Sequence, residues 1–260
     1  MNLDHRDELK RDVGTAQLSS RDIFGVTVRC GCEVDCIAAI DVDVTQGSVC
    51  LGFVNTFTAY LLGKQDNFRS VLRHFVLLND GVGLDLVSII KYGKRFPFNL
   101  NGTDFTPLYL KATRHTYRIF LLGGRAGIAE KAAAALKRIA PQHTYVGARH
   151  GYFTELEEAE IAADIKERRA DLVIVALGNP QQEVWIAKNI GKVNARLAIG
   201  VGALFDFLAE VIPRAPMSVR RARLEWLYRI SLEPKRLWKR YIVYTPVLIL
   251  RALAERCGLS

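Results

Sequence analysis

An aspartate and an asparagine each follow a short apolar run that predicts a buried strand. Asp80 closes the run that begins at Phe75, and Asn55 closes the run over residues 48–54. Ligands of open α/β sheets bind beyond the carboxyl ends of parallel strands, so we expect both side chains at one edge of a sheet. An aspartate in apolar surroundings has a raised affinity for protons and can take one from a substrate hydroxyl. Asp80 is therefore a candidate general base; the alternative is that it caps the helix predicted to begin near Leu84.

Glycine and polar residues follow three further predicted strands. Gly123 and Gly124 connect a strand to an alanine-rich helix, and the backbone amides at such a helix start can bind a phosphate. Tyr152 follows a strand predicted over residues 144–147. Gln182 enters a helix after the most apolar strand and can bind amide and hydroxyl groups. The glycines do not match Gly-x-Gly-x-x-Gly, and no acidic residue ends the following strand, which argues against a nicotinamide-dependent dehydrogenase.

Strands alternate with helices across the middle of the chain. This predicts an α/β fold with a mostly parallel, Rossmann-like sheet and helices on both faces. Residues 23–28 are predicted to form a hairpin strand, and Thr103 is predicted to cap a later helix. We expect a loose segment over residues 1–20, a catalytic α/β domain over residues 21–212 and a basic helical appendage over residues 213–260.

The composition favours an anionic partner. The chain has 260 residues, 50% of them hydrophobic, so it can bury a sizeable core, and its net charge of +9 suits nucleotides, nucleic acids or anionic lipid surfaces. Its five cysteines lack paired C-x-x-C spacing and no histidine lies near the first four, so we expect reduced cytosolic thiols and no metal site. We recognise no secretory signal at the start of the chain and predict no cofactor.

The segment after Ile212 combines arginine and lysine with tryptophan and tyrosine. Basic helices with aromatic residues on their apolar side lie in membrane interfaces, and the apolar stretch over residues 241–250 is too short to span a bilayer. Two alternatives are a helical hairpin with a solvated basic face and a nucleic-acid-binding tail. The number of apolar residues favours the lipid surface over the hairpin, and the hairpin over nucleic acid. Exposed apolar surface near this tail also predicts self-association.

Ordered motifs along most of the chain, about residues 48–241, resemble those of the WecG/TagA/CpsF family of bacterial glycosyltransferases. The motifs are Asn-Asp-Gly-Val-Gly at 79–83, Asn-Leu-Asn-Gly-Thr-Asp at 99–104, Gly-Gly at 123–124, Gly-Tyr-Phe at 151–153, Gly-Asn-Pro-Gln-Gln-Glu at 178–183, Gly-Val-Gly-Ala-Leu-Phe-Asp-Phe at 200–207, Arg-Ala-Pro at 214–216, Glu-Trp-Leu-Tyr-Arg at 225–229 and Glu-Pro-Lys-Arg at 233–236. Their order makes the set specific, whereas any one of them alone would not be.

The resemblance implies a transferase that moves a sugar from a UDP-sugar to a saccharide on undecaprenyl diphosphate. The reaction would proceed with inversion and without a bound metal, at the cytoplasmic face of the inner membrane. The resemblance also implies that Asp80 deprotonates the acceptor hydroxyl and that Asn55 lies beside it. Tyr152 and Gln182 would contact the uridine of the donor. Arg229 and Arg236 would close over its diphosphate. A further basic position of the family falls on Lys239, and Arg240 would share that role.

Phe53 stands where many members have threonine, so the contact proposed for that threonine is not carried over. The form Asn-Asp-Gly at 79–81, with the run over residues 99–104, is similar to members of xanthan- or acetan-type exopolysaccharide pathways, which implies β-1,4 transfer of glucose. The alternative within the family is transfer of N-acetylmannosamine or its uronic acid to lipid-linked N-acetylglucosamine. A second alternative is a non-enzymatic nucleotide-binding module on the membrane surface.

Overall fold

The computed structural model describes residues 18–216, 218–219, 225–232 and 234–259. Within these ranges eight strands join one sheet. They are β1 Ser19–Ile23, β2 Val26–Cys30, β3 Val49–Val54, β4 Phe75–Asn79, β5 Arg118–Gly123, β6 Thr144–Arg149, β7 Leu172–Ala176 and β8 Leu197–Gly200. Their order across the sheet is β1-β2-β4-β3-β8-β7-β5-β6, and neighbouring strands are parallel except in the β1–β2 hairpin. The prediction of a mostly parallel sheet is confirmed.

Helices connect the parallel strands up to β8, and the chain after β8 is also helical. They are α1 Glu33–Gln46, α2 Thr56–Leu62, α3 Asp66–Leu72, α4 Val82–Tyr92, α5 Gly102–Ala112, α6 Ile128–Ile139, α7 Glu155–Glu167, α8 Gln181–Val193, α9 Leu204–Leu208, α10 Glu225–Leu232, α11 Pro234–Lys239 and α12 Thr245–Arg256. A π-helical turn, Arg240–Tyr244, joins α11 to α12.

Alternation along each strand divides the core into two layers. In β5, Phe120 and Leu122 pack on one face with α2, α3, α4, α7 and α8, while Ile119 and Leu121 pack on the other face with α1, α5, α6 and α9. Strand β3 is buried along its whole length, as expected for a parallel strand that is covered on both sides. The predicted α/β fold with helices on both faces is therefore confirmed.

Two local predictions change in the structure. Residues 23–28 do not form one strand, because a turn at Gly25, whose φ is +89°, separates β1 from β2. The cap of α5 is Asn101 rather than Thr103, since the Asn101 side-chain oxygen accepts a hydrogen bond from the Asp104 amide at 3.0 Å. Asparagine is among the strongest N-cap residues, so this outcome fits the helix-capping preference.

The last helix belongs to the core. In α12, Leu248 is 1% exposed and Ala252 is fully buried, in the same cluster as residues of α2 and α4. An ion pair fixes this packing, since Lys91 Nζ of α4 lies 2.6 Å from a Glu255 oxygen. Across the described ranges, every helix falls short of the length and hydropathy that a membrane span requires. The membrane association predicted for residues 213–260 stays a prediction, but α12 packs as part of the α/β body.

Replacing Leu248 tests this packing. Leu248→Ala should lower the free energy of unfolding by about 2–5 kcal/mol, because it removes buried surface and leaves a cavity. Leu250→Ala is the matched control, since Leu250 lies on the same helix and is 68% exposed; its effect should stay within about 0.5 kcal/mol. Urea denaturation followed by circular dichroism measures both. Equal effects of the two variants would contradict the packing of α12.

Candidate active site

A cavity of about 880 Å³ opens at the carboxyl edge of the parallel strands, a volume typical of small-molecule sites. Its wall is built from residues that follow β4, β3, β8, β7, β5 and β6. The connections from β5 and β7 lead in opposite directions, to β6 and to β8, and ligands of open α/β sheets bind where such a reversal occurs. The lining residues that matter most below are Asn55, Asp80, Gly124, Arg125, Tyr152, Asn179, Gln182, Gly202, Asp206 and Lys239.

Asp80 and Asn55 lie side by side at this edge. Strands β3 and β4 are parallel with Val54 opposite Asn79, so the next residue on each strand is also a neighbour. The Asp80 amide donates a hydrogen bond to the Val54 carbonyl oxygen at 2.8 Å, which extends the ladder by one residue. The prediction that the two residues follow adjacent strands at one edge is confirmed.

Hydrogen bonds on both sides of Asp80 hold its turn. The Asn79 side-chain nitrogen donates to the Phe98 carbonyl oxygen, and the Gly81 amide donates to Asn99 Oδ1, both at 2.8 Å. Gly81, with φ +89°, is the N-cap residue of α4, so the alternative in which Asp80 caps this helix is wrong. Asp80 is instead half-buried in the cavity wall.

Asn55 is fixed by the helix that follows it. Its Oδ1 atom accepts hydrogen bonds from the Phe57 amide at 2.9 Å and the Thr58 amide at 3.1 Å, which makes it the N-cap of α2. Its Nδ2 group makes no hydrogen bond to a described residue and so is available as a donor to a ligand. Asn55 can therefore hold a ligand oxygen beside Asp80, but it cannot act as a base.

Glycines allow the ends of β5, β6 and β7 to approach one another closely. A Cβ atom on Gly123 would lie 2.3 Å from the Ala176 carbonyl oxygen, and one on Gly151 would lie 2.6 Å from the Leu177 side chain. The Gly124 amide donates to the Ala176 carbonyl oxygen at 3.1 Å, so that amide is already used. Gly124 lines the cavity and Gly123 packs against β7. Their role in substrate binding stays a prediction.

Tyr152 lines the cavity and is 71% exposed. Its position is set through the backbone, since the Gly151 amide donates to the Gly124 carbonyl oxygen at 2.8 Å and the Tyr152 amide donates to His150 Nδ1 at 3.3 Å. An exposed aromatic ring on a fixed backbone is suited to stacking on a planar ligand ring. The ring of Tyr152 is therefore positioned where it can contact a nucleotide base in the cavity, as predicted from the resemblance.

Gln182 and Glu183 connect the turns that follow β7 and β8. Gln182 is buried, its Oε1 atom accepts from the Gly202 amide at 3.0 Å, and its Nε2 atom donates to Glu183 Oε1 at 2.8 Å. The same Glu183 oxygen accepts from Asn179 Nδ2. Glu183 is 1% exposed. This burial raises the pKa of Glu183 to about 7, although the hydrogen bonds that its carboxyl accepts act to lower it.

The sequence analysis assigns no role to two charged residues of the wall, Arg125 and Asp206, although Asp206 belongs to the motif at 200–207. Both follow a glycine turn at the end of a strand, which is the signal that could have identified them. Arg125 is exposed and makes no ion pair with a described residue, so it offers a positive charge to a ligand. Lys239, predicted from the resemblance, also lines the cavity.

Three further arginines predicted to bind a diphosphate, Arg229, Arg236 and Arg240, have side chains that lie outside the described residues. Their roles stay predictions. Within the part of the chain that the structure describes, no three His, Cys, Asp or Glu side chains come together in a group that could hold a metal ion.

Comparison with known proteins places the chain among glycosyltransferases. Residues 21–260 match the model of a family described as "Glycosyl transferase WecG/TagA/CpsF family". A Bacillus spizizenii protein is 34% identical over 167 residues, which is 64% of this chain and 63% of that protein. A Bacillus subtilis protein is 30% identical over 203 residues, 77% of each chain, and a Staphylococcus aureus protein is 32% identical over 120 residues, 46% of each chain.

Each of these relatives is named N-acetylglucosaminyldiphosphoundecaprenol N-acetyl-beta-D-mannosaminyltransferase. The chain spans less than two thirds of the length of the Bacillus spizizenii and Staphylococcus aureus proteins. The names overturn the prediction of glucose transfer in an exopolysaccharide pathway, because the relatives are named for the alternative sugar, N-acetylmannosamine.

The structure shows where Phe53 and the run over residues 99–104 lie. Phe53 is a core residue that packs on Phe105 of α5, with the ring centroids 6.2 Å apart. In the run over residues 99–104, Asn99 binds the amide after Asp80 and Asn101 caps α5. Phe53, Gly102 and Thr103 also line the cavity, so these residues both support the fold and shape the cavity wall.

The buried carboxyl of Glu183 predicts a pH dependence of stability. Its pKa is raised from 4.5 to about 7 by folding, so between these values the folded chain holds a proton that the unfolded chain releases. The contribution of Glu183 to the free energy of unfolding should therefore fall as the pH rises through this range. Between about pH 5 and about pH 8, the stability of Glu183→Gln relative to the unsubstituted chain should rise by about 2–3 kcal/mol.

Chemical denaturation at the two pH values measures this difference. Glu160→Gln is the matched control, since it makes the same chemical change at an exposed position of α7. A difference between Glu183→Gln and the unsubstituted chain that does not change with pH would contradict the buried, proton-binding carboxyl.

Proposed function

The chain belongs to the Glycosyl transferase WecG/TagA/CpsF family, and from that premise we propose that it transfers N-acetylmannosamine from UDP-N-acetylmannosamine to N-acetylglucosamine on undecaprenyl diphosphate. The observation that carries the proposal is a single cavity that joins Asp80 to the polar turns after β5, β6 and β7. The names of relatives that are 30–34% identical support the choice of sugar and of acceptor.

The nucleotide of the donor binds at the β5, β6 and β7 side of the cavity in this proposal. The exposed ring of Tyr152 offers a stacking surface for the base, and the carboxamide of Gln182 offers hydrogen bonds to its edge. Arg125 and Lys239 supply positive charge for the diphosphate in the described part of the wall. Arg229, Arg236 and Arg240 would add to it from the C-terminal segment.

Asp80 acts on the other side, where the acceptor sugar binds. Its carboxylate takes the proton of the acceptor hydroxyl, the oxygen attacks the anomeric carbon of the donor, and the bond to UDP breaks with the electron pair leaving on the diphosphate. Asn55 Nδ2 holds an oxygen of one of the two sugars. One displacement with one base inverts the anomeric carbon. The charge on the departing UDP is met by guanidinium and ammonium groups in place of a divalent cation.

The acceptor is a lipid, so the cavity must open near a membrane surface. The C-terminal segment supports this, because it carries exposed apolar side chains beside its buried ones, among them Ile242 of the π-helical turn and Leu250 of α12. Such a segment can rest in the interface of an anionic bilayer. We place the protein peripherally on the cytoplasmic face of the membrane, where UDP-sugars are made. Self-association stays a prediction from the same apolar surface.

A donor panel tests the proposed function. UDP-N-acetylmannosamine, UDP-glucose and UDP-glucuronate are each mixed with a short-chain N-acetylglucosaminyl-diphospho-lipid and with its glucosyl counterpart, and UDP release is measured. We expect release above the acceptor-free background with UDP-N-acetylmannosamine and the N-acetylglucosaminyl lipid. Other pairs should be at least about a hundredfold slower, since the cavity would lose hydrogen bonds to the acetamido group. Faster reaction of UDP-glucose on either lipid would contradict the proposal.

A further inference from the structure

Glu183 carries a carboxyl group in the buried interior, where an ionisable group lowers the stability of the fold. It lies in the first turn of α8 and is 1% exposed, and the following residues Trp185 and Ile186 are buried as well. Burying an ionisable group reduces stability unless other groups compensate. Residues that break such a rule in a folded protein are concentrated at functional sites. Glu183 lies next to the cavity wall and is hydrogen-bonded to two residues of that wall.

Glu183 holds two carboxamides that line the cavity, although it is not itself part of the wall. Its Oε1 atom accepts hydrogen bonds from Gln182 Nε2 at 2.8 Å and from Asn179 Nδ2. Gln182 continues the chain of contacts, because its Oε1 atom accepts from the Gly202 amide at 3.0 Å. One buried carboxyl thereby links the turn after β7 to the turn after β8.

A carboxylate accepts hydrogen bonds and donates none, so it decides which way each carboxamide faces. Both side-chain nitrogens turn toward Glu183. This leaves Asn179 Oδ1 and the second hydrogen of Gln182 Nε2 without a partner among the described residues. Both carboxamides line the cavity, so this acceptor and this donor can pair with the donor and acceptor atoms on the edge of a uracil ring.

We propose that Glu183 is a positioning residue for the nucleotide of the donor, and that its carboxylate fixes Asn179 and Gln182 in the orientation that binds the base. This inference rests on the proposed function. It assigns a role to a residue that touches neither the sugar nor the diphosphate.

Burial is the main influence on the pKa of Glu183, because few charged groups lie close to it. The packed strands β3, β7 and β8 carry no charged residue. On the packed helices, Glu158 pairs with Lys188 at 2.8 Å, Lys192 contacts Asn189, Arg69 contacts Asp66 and the Leu62 carbonyl oxygen, Glu157 pairs with Arg149, and Asp164 pairs with Arg168. The remaining charged residues of α7, which are Glu155, Glu160, Lys166 and Glu167, are exposed. The burial that raises the pKa of Glu183 to about 7 therefore lets it change protonation near neutral pH.

Protonation would weaken the positioning. The second carboxyl oxygen, Oε2, has no hydrogen-bond partner among the described residues and is where a proton can reside. The protonated group is a weaker, uncharged acceptor for the two side-chain nitrogens. Binding of the donor should therefore be tighter when Glu183 is ionised, and the donor affinity should rise with pH.

Isothermal titration calorimetry with UDP-N-acetylmannosamine tests this. The diphosphate of a UDP-sugar is a diester and does not titrate near neutral pH. For the unsubstituted chain, Kd should fall several-fold between about pH 6 and about pH 8. Glu183→Gln should raise Kd by about 3- to 10-fold at about pH 8 and remove the pH dependence, with KM raised and kcat nearly unchanged. Glu160→Gln, at an exposed position of α7, should behave as the unsubstituted chain does.

The outcomes separate the inference from the proposed function. An unsubstituted chain that does not bind UDP-N-acetylmannosamine would overturn both. Binding that is equal in Glu183→Gln, or weaker with an unchanged pH profile, would overturn the positioning role alone. His150, next to Tyr152, is present in both the unsubstituted chain and Glu183→Gln, so a difference between their pH profiles reports on Glu183. If Glu183→Gln does not fold, His150→Gln decides, because it retains Glu183: a Kd that falls with pH supports the inference, and a flat profile overturns it.

Discussion

The close approach of backbone to backbone at the carboxyl edge of the sheet is the constraint on which the site depends. Strands β5 and β7 are neighbours, and a Cβ atom at Gly123 would lie only 2.3 Å from the Ala176 carbonyl oxygen. No side chain fits there. The glycine turns therefore let the ends of adjacent strands meet, and the polar residues that follow them line one cavity. A larger residue at Gly123 would separate the strand ends and, with them, the two sides of the site.

Hydrogen bonds then convert this edge into a fixed arrangement of functional groups. Asn79 and Asn99 hold the turn around Asp80, and Gln182 and Glu183 tie the turn after β7 to the turn after β8. Groups held by such surrounding contacts need little rearrangement when a ligand binds. This arrangement destabilises the fold at one position: the buried carboxyl of Glu183 lowers the free energy of unfolding above neutral pH. A site that combines a carboxylate, carboxamides and cationic groups in this way is suited to transfer from a nucleotide sugar.

Much of this could be predicted from the sequence where the physical signal is local. Continuous apolar runs identify β3 and β7, because strands covered on both faces need apolar residues at every position. A polar residue directly after such a run lies at the carboxyl edge of the sheet. This rule predicts that Asp80 and Asn55 lie close together. The burial of Glu183 and of Leu248 could not be predicted, since both depend on elements distant in the chain. The sugar was predicted wrongly because it was inferred from likeness to a subgroup of the family, whereas sugar selection depends on how side chains such as Phe53 and Thr103 line the folded cavity.

The central claim is that Asp80 removes the proton of the acceptor hydroxyl while the donor is held by other residues. Turnover and donor affinity of Asp80→Asn, measured with UDP-N-acetylmannosamine and the N-acetylglucosaminyl lipid, test it most directly, with Asp206→Asn, the other carboxylate of the wall, measured in parallel. If Asp80 is the base, we expect Asp80→Asn to bind the donor with nearly unchanged affinity and to turn over about 10²–10⁴ times more slowly. Near-normal turnover of Asp80→Asn, with the loss found in Asp206→Asn instead, would contradict it.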